Sequence, residues 1–95
     1  MKNILLITML LGVGYSQCNE SNWQEYYPEM AGCDLEGADL SGAILEGAYL
    51  LEANLTGANL FYTFLHNANL EGANLSSANL QGTFLLERQT LKGLV

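Results

Sequence analysis

The chain is 95 residues long and carries ten Asp and Glu against three Lys and Arg, a formal charge of −7. That length allows one small domain, and with that charge no nucleic-acid partner is expected. With one histidine, His66, and two cysteines, it lacks the clusters that zinc sites and activated nucleophiles require.

In chain order, residues 1–16 have the pattern of a secretory signal. Lys2 supplies a positive start, Ile4 to Val13 an apolar run, and Gly14-Tyr15-Ser16 a small-x-small cleavage site. The run falls short of the roughly 20 residues that span a membrane. The expectation is an exported chain, periplasmic or extracellular, beginning at Gln17 and without a stable membrane anchor. Two cysteines in a short exported chain suggest one disulfide, Cys18 to Cys33. Two other readings stay open. One is a lipid on Cys18, although Tyr15-Ser16-Gln17-Cys18 departs from the usual Leu-Ala-Gly-Cys box. The other makes Cys33 a small inward residue in an alanine slot.

Residues 17–32 are expected to form an N-terminal cap. Ser21 is placed to cap a short helix, with Trp23, Tyr26 and Tyr27 on one face. From Leu35 to Leu85 a leucine occupies every fifth position, and two residues before each sits a small residue, usually alanine. Residues five apart lie about 140° apart around an α-helix, so they make no face there. On a flat strand they alternate sides. The leucines share one interior only if the chain turns once per repeat, winding short extended pieces into a solenoid with coils about 4.8 Å apart.

Ala38-Asp39-Leu40-Ser41-Gly42, Ala53-Asn54-Leu55-Thr56-Gly57 and Ala73-Asn74-Leu75-Ser76-Ser77 resemble pentapeptide repeats. The resemblance covers eleven repeats, residues 33–87, with Pro28-Glu29-Met30-Ala31-Gly32 as a degenerate twelfth. It implies an all-β fold, a right-handed quadrilateral β-helix of just under three coils, and the short helical cap expected from Ser21 and the aromatic residues would precede it. The central leucine and the small residue two before it point inward. Residues 88–95 are left as a C-terminal tail or cap.

Within that frame, residues twenty apart stack. The outward position before each leucine is Asp or Asn in seven repeats and Ile44, Tyr49, Phe64 or Phe84 in the others. Ile44, Phe64 and Phe84 fall in one column. Tyr49 and Leu51 are expected on the next face, Phe61 on the preceding one, Tyr62 at the corner between, and Leu86 beside Phe84. Asn54 over Asn74 and Asn59 over Asn79 are expected to stack as ladders. Polar residues would serve a solvated face better, so the apolar set marks an interaction face.

No catalytic, cofactor or metal site is expected. His66 is assigned to a solvated face, and the acids of the first coils, Asp34, Glu36, Asp39, Glu46 and Glu52, to solvated surface. The leading function is an exported, non-enzymatic scaffold, with itself as a homodimer or another protein as partner and no nucleic acid. The alternative implied by the resemblance is an acidic DNA mimic of the gyrase-protecting type.

Overall fold

A computed structural model describes residues 17–84. The signal-like segment 1–16, Leu85, Leu86 and the tail 88–95 lie outside the described residues.

The chain winds as a four-sided coil. Nine isolated parallel bridges join its turns among the described residues, and eight of them link residues twenty apart, from Glu29 with Tyr49 to Phe64 with Phe84. Four repeats therefore make one turn. The outward residue carries each bridge: the Asn54 N–H donates to the Cys33 carbonyl (2.9 Å), and the Asn54 carbonyl accepts from the Leu35 N–H (2.7 Å). Each side holds only three residues between corners, so no ladder runs beyond a single bridge. The all-β expectation is met by bridges rather than by extended strands.

Every corner uses the same turn. The leucine carbonyl accepts from the N–H three residues on, as from Leu35 to Ala38 at 3.0 Å and from Leu60 to Thr63 at 3.0 Å. The second corner residue has positive φ, from 56° to 76°, as a type II turn requires. Glycine meets this at six of the regular repeats, but Glu52, Tyr62, Asn67 and Ser77 adopt it too. The period fixes the corner even where the residue does not favour it. The N–H of that second residue also bonds the coil above, as from Gly37 to the Thr56 carbonyl at 2.8 Å.

The interior is the leucine column set. Leu35 to Leu70 are buried, with alanines beside them. The degenerate segment keeps the same geometry: Met30 is fully buried and its N–H donates to the Tyr49 carbonyl at 2.8 Å. The two inward threonines satisfy themselves. Thr63 Oγ1 donates to the Leu40 carbonyl (2.7 Å) and Thr83 Oγ1 to the Leu60 carbonyl (2.8 Å), so neither hydroxyl is stranded.

Before the first coil lies one short helix, α1, spanning Trp23–Tyr26. Its N-cap is Asn22, not Ser21, and no side chain caps it. The reason is local: Asn22 Oδ1 accepts from the Asn19 N–H (2.8 Å), while Asn19 Oδ1 takes the Ser21 N–H (2.8 Å). Trp23 and Tyr26 pack against the core. Tyr27 falls past the helix end, is exposed, and donates its hydroxyl to the Glu46 carbonyl. The three aromatics therefore do not share one face. Cys18 and Cys33 are disulfide-bonded, with Cα atoms 4.7 Å apart. Both are buried.

Candidate interaction face

The outward Asp and Asn residues have a local task beyond stacking. Their Oδ1 atoms accept from the backbone N–H two residues on, at the start of the corner. The bonds run from Thr56 to Asn54 (3.1 Å), Phe61 to Asn59 (3.0 Å), Glu71 to Asn69 (3.0 Å), Ser76 to Asn74 (2.9 Å) and Gln81 to Asn79 (3.0 Å). This is the Asx turn, in which a side chain imitates a turn of backbone. Asp39 accepts both from the Ser41 hydroxyl (2.7 Å) and from its N–H (3.1 Å). Those two bonds, the hydroxyl first, hold its carboxyl below the usual range. Ladder bonds are present and longer: Asn79 Nδ2 to Asn59 at 3.4 Å and Asn54 Nδ2 to Asp34 at 3.3 Å.

Ile44, Tyr49, Phe64 and Phe84 have no side-chain oxygen in position to do this. Three of them stack in one column through the bridges Ile44 to Phe64 and Phe64 to Phe84. The Phe64 and Phe84 rings lie 4.6 Å apart, tilted by 20°. They cover each other's faces. All three side chains are exposed, Ile44 most of all at 64%.

The preceding corner extends this column. Tyr62 packs edge-on against Phe61 at 4.4 Å and lies 6.2 Å from Phe84. Tyr62 has φ 56°, an unusual value for a bulky residue. Its ring lies over Gly82, where an added Cβ would stand 2.7 Å away. Only a glycine beneath lets the ring lie there.

The structure thus brings together Ile44, Phe61, Tyr62, Phe64 and Phe84. Tyr49 stands between Glu29 and Asn69 in the next column, and Leu51 is half-buried at the corner beyond it. Neither joins the rings. Leu86 lies outside the described residues. His66, assigned by sequence to a solvated face, is half-buried and stacks 6.3 Å from Phe64 and 6.1 Å from Phe84. Its place was available from the spacing, since the first corner residue stays on the side it follows.

Charge is distributed around this face. The described residues include nine carboxylates, while Lys2, Arg88 and Lys92 all lie outside them. Asp34, Asp39 and Glu29 each stand in one of the other three columns. The column of Ile44, Phe64 and Phe84 has none, and Glu46 at its corner is the nearest acid in sequence. Among the described residues no group of three His, Cys, Asp or Glu is placed to hold a metal ion. No helix among them is long and apolar enough to cross a membrane.

The sequence profile for pentapeptide repeats matches this chain in eight copies over residues 33–72 and 53–85. The chain belongs to the pentapeptide-repeat family, whose members are generally structural or interaction scaffolds, and its coil is the right-handed quadrilateral β-helix of that family. Among solved structures it is similar to Rfr23, a pentapeptide-repeat protein from the cyanobacterium Cyanothece 51142. The identity is 40% over 70% of this chain and the TM-score is 0.61. This chain spans 42% of the length of that protein. HetL from Nostoc sp. strain PCC 7120, a pentapeptide-repeat protein involved in heterocyst differentiation regulation, matches at 29% identity. The match covers 70% of this chain and 37% of HetL, with TM-score 0.43. A pentapeptide-repeat protein of the Arabidopsis thaliana thylakoid lumen matches at 24% identity over 85% of this chain and 68% of its own, with TM-score 0.37. Comparison with curated proteins gave no match.

Proposed function

We propose that this protein is an exported, non-enzymatic scaffold that docks a protein partner through the face formed by Ile44, Phe61, Tyr62, Phe64 and Phe84, with α1 serving as the lid of the first coil. One observation carries the docking role. In a single column, three successive coils give up the side-chain oxygen that braces the corner and put an exposed apolar side chain in its place. Local stability favours Asn there, so the apolar residues answer to something outside the coil. Tyr62 supports the same reading, since the chain holds a bulky side chain at a corner that glycine suits better.

Returning the column to the repeat pattern tests this. The triple variant Ile44→Asn, Phe64→Asn, Phe84→Asn should keep the far-ultraviolet circular dichroism spectrum and melt within a few degrees of wild type, or above it. The new Asn at 44 and the one at 64 each supply an oxygen for the corner that follows, a bond of about 0.5–1.5 kcal/mol. Loss of the fold in this variant would make the column structural packing.

Export rests on the buried disulfide, which fits an oxidising compartment, together with the signal-like start. Intact mass of the protein from its native source should show a chain beginning at Gln17 and lacking two hydrogens relative to the dithiol. A chain retaining Met1 to Ser16, or a lipid adduct on Cys18, would overturn it.

A further inference from the structure

We infer that the occupant of this face is a second copy of the same chain, packed antiparallel about a twofold axis near Phe64. This partner rests on the reading of the face as a docking surface. The distribution of charge selects it. A basic partner would be drawn to the columns that carry Glu29, Asp34 and Asp39, not to the one without a carboxylate. Two copies of this chain repel wherever carboxylates meet. Their closest approach at least cost is through the column whose outward positions carry no acid, where Glu46 at the Ile44 corner is the one carboxylate of the described residues beside the contact.

The same charges set the direction. A twofold contact presents one patch to itself. With parallel coils, Glu46 of one copy would meet Glu46 of the other beside Ile44. With antiparallel coils, Ile44 of one copy meets Phe84 of the other, Phe64 meets Phe64, and the two Glu46 carboxylates lie at opposite ends. The stacked, exposed rings of Phe64 and Phe84 lie at the heart of this contact, where aromatic side chains contribute most.

The area makes the association reversible. Ile44, Phe61, Tyr62, Phe64 and Phe84 are 37–64% exposed, which amounts to roughly 450 Å² per copy for side chains of this size. Two copies then bury roughly 900 Å², below the standard size of a stable interface. The dimer should form in the micromolar to millimolar range.

Sedimentation of the purified protein over that range tests the inference. Wild type should show a monomer–dimer equilibrium that strengthens several-fold as salt rises from low ionic strength, because screening removes like-charge repulsion. The double variant Phe64→Asn with Phe84→Asn should dimerise at least tenfold more weakly. Tyr62→Gly, which installs the commonest corner residue, should weaken it less. An equimolar mixture of Ile44→Cys and Phe84→Cys chains should cross-link unlike with unlike. A monomer at every concentration, a dimer indifferent to these substitutions, or cross-links of Ile44→Cys only with itself would overturn the antiparallel dimer. If the Asn-restored column folds normally while wild type stays monomeric, the dimer falls and a foreign partner for the face remains. If that variant unfolds, both readings fall together.

Discussion

Leu60→Asp should abolish folding, whereas Asn59→Asp, one residue earlier, should cost about 1 kcal/mol or less. Leu60 is fully buried. Its N–H is donated to the Asn79 carbonyl, and its own carbonyl already accepts from the Thr63 N–H and the Thr83 hydroxyl. No Lys or Arg lies among the described residues to pair with a new carboxylate. Losing the leucine costs about 2–5 kcal/mol, and an unpaired buried charge costs several more. The sum meets or exceeds the roughly 5–15 kcal/mol that holds a domain together. Asn59 is only half-buried. As Asp it keeps an oxygen for the Phe61 N–H and loses the 3.5 Å donation to Asp39. The two stacked carboxylates then repel through water, at about 1 kcal/mol for 4 Å. Circular dichroism and urea titration of both variants check the contrast. Equal damage would mean that the assignment of inward and outward positions fails.

Cys33→Ala should lower stability by about 3 kcal/mol, the chain-entropy value for a loop of this length. The bridge spans 15 residues. Alanine fills the same inward slot in eight regular repeats, so the substitution isolates the bridge from the packing. What the bridge ties down is the segment that carries Trp23 and Tyr26 onto the core. Apart from the disulfide, that segment is hydrogen-bonded to the coil by the Asp34 N–H to the Cys18 carbonyl (2.9 Å), the Asp39 N–H to Glu20 Oε2 (3.3 Å) and the Tyr27 hydroxyl to the Glu46 carbonyl. At about 4–8 °C per kcal/mol for a domain of this size, the melting temperature should fall by about 12–24 °C. A reductant should lower wild type by a similar amount and leave the variant unchanged. An unaltered melting temperature in Cys33→Ala would mean that the cysteine merely fills space.

The coil was legible in the sequence because its cause is periodic: a leucine every fifth residue admits one closed interior. The stacking of Ile44, Phe64 and Phe84 followed from the same count. Other features depend on which of several nearby partners an atom chooses. Ser21 and Asn22 are both good helix caps, and the choice turned on Asn22 bonding back to Asn19. Tyr27 left the aromatic face because α1 ends one residue earlier. Spacing alone shows the outward Asn residues as ladders, yet their shorter bonds run to their own corners. That task was available from Asx-turn chemistry, and it gives the apolar column its meaning, since only against a lost corner bond does a phenylalanine at position 64 look costly. Tyr62 was placed at its corner by counting, but its left-handed backbone and its seat over Gly82 belong to the folded coil alone.

The twenty-residue stacking rule makes the face a matter of phase. Removing one repeat from the middle of the coil leaves every leucine inward and every corner intact, so the chain still closes. Everything downstream then turns by a quarter revolution, and Phe84 moves off Ile44 onto a neighbouring side. Removing four repeats restores the alignment. Length can therefore drift among such chains in steps of five without harm to folding, while a patch assembled from several coils survives only steps of twenty. A surface written across coils is the part of this architecture that a single-repeat insertion erases, silently with respect to stability.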